Sequence, residues 1–463
     1  MSIPKELEEA YEQGYRKFSW VQKLNENSFS LRTYFEKGQK AFHGERFYWQ
    51  TPEKEFTLAG FGKVIELTHE QASFKQVDSF ILKEQDKIYQ NLSITGTGAV
   101  LFGGFSFDDT ILKQNDWGKM EQGLFYLPTF LITQKKNEQF LTINFSIETK
   151  RELQQKWVSL HKQFVDIINT ESEQQTKCEQ VEAEEVAVTQ WMTLVDETVA
   201  KLKEAGPLEK VVLARRMKVS SNQPFQSEVI LKNLEEQQTN TYFFVLEARQ
   251  HVFIGATPER LLQASTTTFS TASVAGSVSR GTTEAEDIEL GNHLLNDLKN
   301  RQEHKIVVDR VVKELEQMTE DMVHVQQPQL LKNRDIQHLF LPIEGKRRAD
   351  FRFLTGIQQL HPTPALGGEP KELALEWLRV HEKLDRGLYG APIGWIALKE
   401  DIGEFAVGIR SAIFSENQGY LYAGCGIVKD SEAASERVET KIKFQPMLRG
   451  IGGDIHDESK RND

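Results

Sequence analysis

Cysteine is nearly absent. The 463 residues hold two, Cys178 and Cys425, far apart and in no metal-ligand spacing. That excludes a disulfide framework and fits a reducing compartment, the cytoplasm. Long apolar runs are missing as well: no stretch approaches the ~18 residues of a membrane-spanning helix, so no membrane partner is expected. The first residues, MSIPKELEEAYEQGYRKF, are charged and lack the apolar segment of a secretory signal. Positive charge is in deficit, with 56 Lys+Arg against 68 Asp+Glu and a formal net charge of −12. Such a field repels phosphate backbones and argues against nucleic acid as a partner. An anionic substrate would need cations gathered locally against it. No obvious exposed apolar stripe is present, which fits a monomer.

Several common motifs are incomplete. GTGAVLFGG (96–104) has neither G-x-G-x-x-G spacing nor a P-loop ending, and bent, packed strands explain its glycines better. His381-Glu382 opens like the zinc-protease H-E-x-x-H, but Asp385 takes the second histidine's place. Ser106 lacks the flanking glycines of a nucleophile elbow.

What is present is ample core material, at 39% hydrophobic residues. The first ~165 residues mix short helices with strand-like runs at 80–82, 99–102, 124–133 and 140–147. Helical periodicity follows through Leu153, Trp157, Leu160, Phe164 and Ile167. The polar, acidic stretch 170–185 reads as an exposed connection and the best boundary, dividing 1–185 from 186–455. Beyond it come a helix over 186–205, ended by Gly206-Pro207, and a strand over 210–215. A hairpin over 241–248 and 251–256 and a strand near 269–274 come next. A T-x-x-E capping box at Thr283 and Glu286 opens one long helix whose stripe runs to Leu315. A helix over 371–383, strands over 394–398, 404–414 and 420–427, and a last helix over 432–448 complete the chain. Strand runs followed by helices, without regular alternation, favour α+β with antiparallel sheets.

Polar residues stand where polarity is costly. Lys210 adjoins a strand of valines and leucine. Glu259 follows a strand, and Glu303 borders a buried helical stripe. Glu436, Glu439 and Lys443 share one helix face by their spacing of 3 and 4, and Arg410 ends a strand. Singly, each reads as a snorkelling or ion-paired side chain.

Together they resemble a family. KVVLAR (210–215), GATPERLL (255–262), AGSVSRG (275–281), LLNDLKNRQEH (294–304) and QHL (337–339) are similar to segments of the chorismate-binding enzymes. So are HPTPALGG (361–368), EKLDRGLYGAPIGW (382–395), FAVGIRSA (405–412), AGCGIV (423–428) and ERVETKIK (436–443), in family order over about 240 residues. The family comprises isochorismate, salicylate, anthranilate and aminodeoxychorismate synthases. The resemblance implies one compact unit of large antiparallel sheets packed together and flanked by helices.

It also implies chemistry. Chorismate has two carboxylates, a ring hydroxyl and an enolpyruvyl ether. Adding water at ring carbon 2 and expelling the carbon 4 hydroxyl needs a base, an acid and anion-binding groups. By resemblance Lys210 is the base, which must be neutral to act, and Glu259 is the acid. Glu303 and Glu439, with Glu436 nearby, become ligands of Mg²⁺. Arg410 and the backbone at Gly424 and Gly426 would hold the pyruvyl carboxylate, and Lys443 the ring carboxylate. Gly276 and Ser277 line the pocket, His338 lies near the hydroxyl or water, and Ala365-Leu366 shape the ring site.

Ammonia-using members usually lack a lysine at position 210, so Lys210 implies water addition and no glutamine amidotransferase subunit. Isochorismate synthase and salicylate synthase remain, and Ala365-Leu366 looks like the isochorismate form. Menaquinone supply is favoured over siderophore supply on general likeness. Cys425 and Arg437 depart from the family's usual small residue and tryptophan.

Overall fold

The computed structural model describes residues 2–25, 29–110, 116–171, 180–321 and 327–453. Cys178 lies outside them. Among the described residues the strands form two sheets, of 13 and 9 strands. The pairings are antiparallel except that Lys17–Lys23 runs parallel to Ile88–Gln90. Both sheets take strands from before and after residue 185. This is the expected α+β architecture of large antiparallel sheets flanked by helices.

The sheets pack face to face through aromatic side chains. Phe47 of the larger sheet stacks on Phe102 of the smaller with ring centroids 4.3 Å apart, beside Trp49, Tyr126 and Tyr422. Burying each such side chain contributes about 1.5–3 kcal/mol. Helices cover the outer faces: Lys150–Asn169 and Ala433–Gly450 on the larger sheet, Leu298–Met318 and Phe353–Leu360 on the smaller. Glycine is required where the strands crowd: a Cβ on Gly103 would collide with the backbone oxygen of Leu124.

The structure corrects four local readings. The apolar run 80–82 belongs to the helix Phe74–Glu84, which buries Val77 and Ile81 and leaves Leu82 48% exposed. Three consecutive apolar residues carry no period, so the run alone could not choose. The helix opened by Thr283 is two helices, Glu284–Asn296 and Leu298–Met318. Asp297 ends the first and caps the second, accepting the Asn300 N–H at 2.8 Å. The strand over 404–414 is also two: Ile402–Val407 in the smaller sheet and Ser411–Ser415 in the larger. The chain crosses between sheets at 408–410, with Arg410 at φ +50°. Finally, the stretch read as an exposed connection includes the strand Val181–Glu185, paired with Lys210–Ser221. Residues 172–179 lie outside the described residues.

Candidate active site

Several pieces of backbone converge on one cavity of about 270 Å³. The strand Lys210–Ser221 begins at its edge and pairs with Gln418–Ile427, which brings Gly424, Cys425 and Gly426 alongside Ala214, Leu213 and Val212. The helix Leu298–Met318 supplies Glu303, and Ala433–Gly450 supplies Glu436, Glu439 and Lys443 from one face. The crossover between the sheets supplies Arg410. The connection from the larger sheet to the smaller, between Thr257 and Arg260, supplies Glu259; the smaller sheet supplies Gly276, Ser277 and His338, and the turn after His361 supplies Ala365 and Leu366. The structure thus brings every expected residue except Lys210 to the cavity wall.

Lys210 sits just behind that wall, 1% exposed. Its Nζ donates to Glu303 Oε1 at 2.8 Å. A Cβ on Gly426 would lie 2.5 Å from the Lys210 Cε, so this glycine makes room for the lysine. Gly276 takes φ +74° at a bulge, which sets Ser277 opposite His338. Ser277 Oγ lies 2.8 Å from His338 Nδ1, and Arg410 stands 3.5 Å from the other ring nitrogen.

The charges divide by environment. Glu259 is 5% exposed, and burial pushes its carboxyl up to about 8 although the fields of Lys210, Lys443 and Arg410 oppose the shift. Burial also opposes ionisation of Glu303, but the Lys210 ammonium outweighs it and holds that carboxyl below its ordinary range. Burial and then the neighbouring Glu439 raise Glu436, whose Oε2 is buried without a hydrogen-bond partner. Burial works against the charge of Lys443, yet Glu439, 2.6 Å away, lifts its pKa above the usual value. Lys443 also donates to the Gly424 carbonyl at 2.9 Å. His338 is held well below its ordinary range by burial and by Arg410, so it is neutral. Burial pushes the Cys425 thiol well up, which disfavours its thiolate form.

For a cation, the donor set is mixed. The carboxylate oxygens of Glu303, Glu436 and Glu439 suit a hard divalent ion, and the orphaned Glu436 oxygen is a coordination point left open. Glu303 and Glu439 are each paired with a lysine. Among the described residues no three acidic, histidine or cysteine side chains are gathered at ligating spacing.

The cavity also includes residues the sequence reading passed over: Lys299, Asn300, Tyr389 and Tyr422. Asn300 Oδ1 accepts the Ser277 N–H at 3.3 Å. Lys299 and Asn300 stand four and three residues before Glu303, so helical spacing could have found them. The tyrosines come from distant segments and carry no such signal.

Comparison with known proteins agrees with this geometry. Residues 5–452 match the family described as chorismate binding enzyme. The chain is 36% identical over 430 residues to the isochorismate synthase MenF of Bacillus subtilis (strain 168), covering 91% of each. It is 38% identical over 269 residues to the salicylate biosynthesis isochorismate synthase of Pseudomonas aeruginosa, covering 57% of this chain and 56% of that one. Its fold matches the structure of MenF, the menaquinone-specific isochorismate synthase from Escherichia coli. The TM-score is 0.77 at 23% identity, over 96% of this chain and 98% of that one. The chain is a member of the chorismate-binding enzyme family.

Proposed function

We propose that this protein is an isochorismate synthase. The observation that carries the reading is the pairing of opposed environments in one cavity. Glu259, held protonated near neutrality, shares that cavity with the cations Arg410 and Lys443, and Lys210 adjoins it. Water adds to ring carbon 2, both ring double bonds shift, and the carbon 4 hydroxyl departs. Lys210 takes the proton from the attacking water, and Glu259 delivers one to the leaving hydroxyl, so a second water forms. Lys210 Nζ is bonded to Glu303 Oε1, so reaching the water requires release from that contact. Arg410 binds the pyruvyl carboxylate with the backbone at Gly424 and Gly426, and Lys443 binds the ring carboxylate. Ala365 and Leu366 bound the ring, Gly276 and Ser277 line the pocket, and His338 lies near the hydroxyl or water.

Mg²⁺ would be held by Glu303 and Glu439 with Glu436 nearby; when bound, it neutralises and orients the ring carboxylate. Water as nucleophile needs no ammonia supply, so no glutamine amidotransferase partner is invoked. The full-length likeness to a MenF protein supports menaquinone supply over siderophore supply. Sheets that draw strands from both sides of residue 185 support a single folding unit. Among the described residues no helix is long and apolar enough to cross a membrane.

Product analysis tests the reading. Chorismate and Mg²⁺, with and without ammonium, should give isochorismate in a reversible mixture with chorismate. Salicylate with pyruvate would make the protein a salicylate synthase. Anthranilate formed with ammonium alone would refute the role of Lys210.

A further inference from the structure

The strand that carries Lys210 has an interrupted edge. On one side it pairs continuously with Gln418–Ile427. On the other, Lys210 and Val211 pair with Gly368–Glu369, and Met217 to Ser221 pair with Val181–Glu185. Between these, backbone bonds continue from the Val212 N–H to the Gly367 carbonyl at 3.0 Å and from the Val186 N–H to the Arg216 carbonyl at 3.2 Å, and at Val212 O and Ala214 N side chains stand in for a strand. Arg386 donates to the Val212 carbonyl at 2.7 Å, and the Ala214 N–H donates to Glu382 Oε2 at 2.8 Å. Arg386 and Glu382 are themselves joined by two parallel hydrogen bonds, of 2.6 and 2.8 Å. The third guanidinium nitrogen donates to the Leu366 carbonyl at 3.1 Å. Both side chains are buried, Arg386 at 1% exposure, and Arg386 packs over the Phe107 ring at 4.3 Å. Neither lines the cavity, yet Val212 and Leu366 both do.

We propose that the Arg386–Glu382 pair is a positioning device for the reaction. It fixes Leu366, at the ring site, against the strand two residues beyond Lys210. A planar fork is needed to hold Glu382 and two carbonyls at once; the single ammonium of a lysine cannot reproduce it. The inference rests on the reading of Lys210 as the base.

The test compares Arg386→Lys with Arg46→Lys. Arg46 is a control of equal burial, bonded to Glu247 and Glu228 away from the cavity. A displacement of about 1 Å at a catalytic group can cost ~100-fold in rate. Arg386→Lys should therefore lower kcat by about tenfold or more while KM for chorismate moves far less. Arg46→Lys should lower the melting temperature with kcat per folded molecule unchanged. Wild-type kcat in folded Arg386→Lys would overturn the proposal. If that variant does not fold, Glu382→Gln decides: it keeps the acceptor for Ala214 and loses the charge-assisted fork. It must show the same kcat loss, and a wild-type kcat there would overturn the proposal. Should the wild-type enzyme make another product from chorismate, the activity reading fails. The ratio of kcat values for that product still measures positioning.

Discussion

On one wall of the cavity, burial raises the Glu259 carboxyl to about 8 against the opposing fields of Lys210, Lys443 and Arg410. On the facing helices, Glu303 and Glu439 lie 2.8 and 2.6 Å from lysine nitrogens, and Glu303 falls below its ordinary range. The same side-chain chemistry thus yields a carboxyl shifted toward its protonated form on one side and, at Glu303, one shifted toward its anionic form on the other. What separates Glu303 from Glu259 is contact: burial raises both, and at Glu303 the hydrogen-bonded Lys210, with the fields of Lys443 and Lys299, reverses the sign. A third case lies outside the cavity. Glu185 is contacted by Arg437, Lys441 and Arg215, which overcome burial and hold it at about 2. Arg437, where the family favours tryptophan, thereby ties the strand Val181–Glu185 to the last helix.

The largest expected effect on the proposed acid–base pair comes from removing Lys210, the proposed base. Lys210→Ala should lose water addition by about 10⁴-fold, at the top of the general-base range, with the fold kept by circular dichroism. A fully active variant would refute the assignment. Glu259→Gln should cost ~10²–10⁴-fold in kcat. Its melting temperature should hold or rise, because a buried acid is exchanged for a neutral amide. A clear loss of stability would mean Glu259 is ionised and paired. On the opposite wall, Glu303→Ala or Glu439→Ala should abolish magnesium-dependent turnover, and EDTA should do the same to the wild type. Turnover unaffected by EDTA would remove the metal from the account.

The pH profile sharpens the contrast further. An acid with a raised pKa is competent below it, so kcat/KM should fall as pH rises through about 8, and Glu259→Gln should erase that limb. The smallest effect belongs to Glu185. A carboxyl with a depressed pKa stabilises above its unfolded value and loses that contribution as pH falls toward about 2. Arg437→Ala should therefore cost about 1 kcal/mol or less at pH 7, with the difference shrinking in acid. A pH-independent difference would assign Arg437 to packing.

The sequence announced the site better than its supports. Glu436, Glu439 and Lys443 were legible because helical spacing of 3 and 4 puts them on one face. Glu303 was legible because it borders an apolar stripe. The break at Asp297 was hidden because the apolar stripe continues across it and a capping aspartate resembles any polar helix residue. The crossover at 408–410 was hidden because strand-forming residues flank it on both sides. Glu382 and Arg386 stand four apart, but their partners Val212, Ala214 and Leu366 come from distant segments, so their joint role emerges only in three dimensions. Glu382 lies in a string that begins like a zinc motif, yet its carboxylate meets Arg386 and the Ala214 N–H.

The contrast between the two walls rests on Glu259 carrying a proton near neutral pH. Infrared difference spectroscopy of the wild type against Glu259→Gln reads this directly. A protonated-carboxyl band that is present at pH 7, missing from the variant and lost with a midpoint near 8 is the expected result. A Glu259 band that has already vanished by pH 6 would contradict the account.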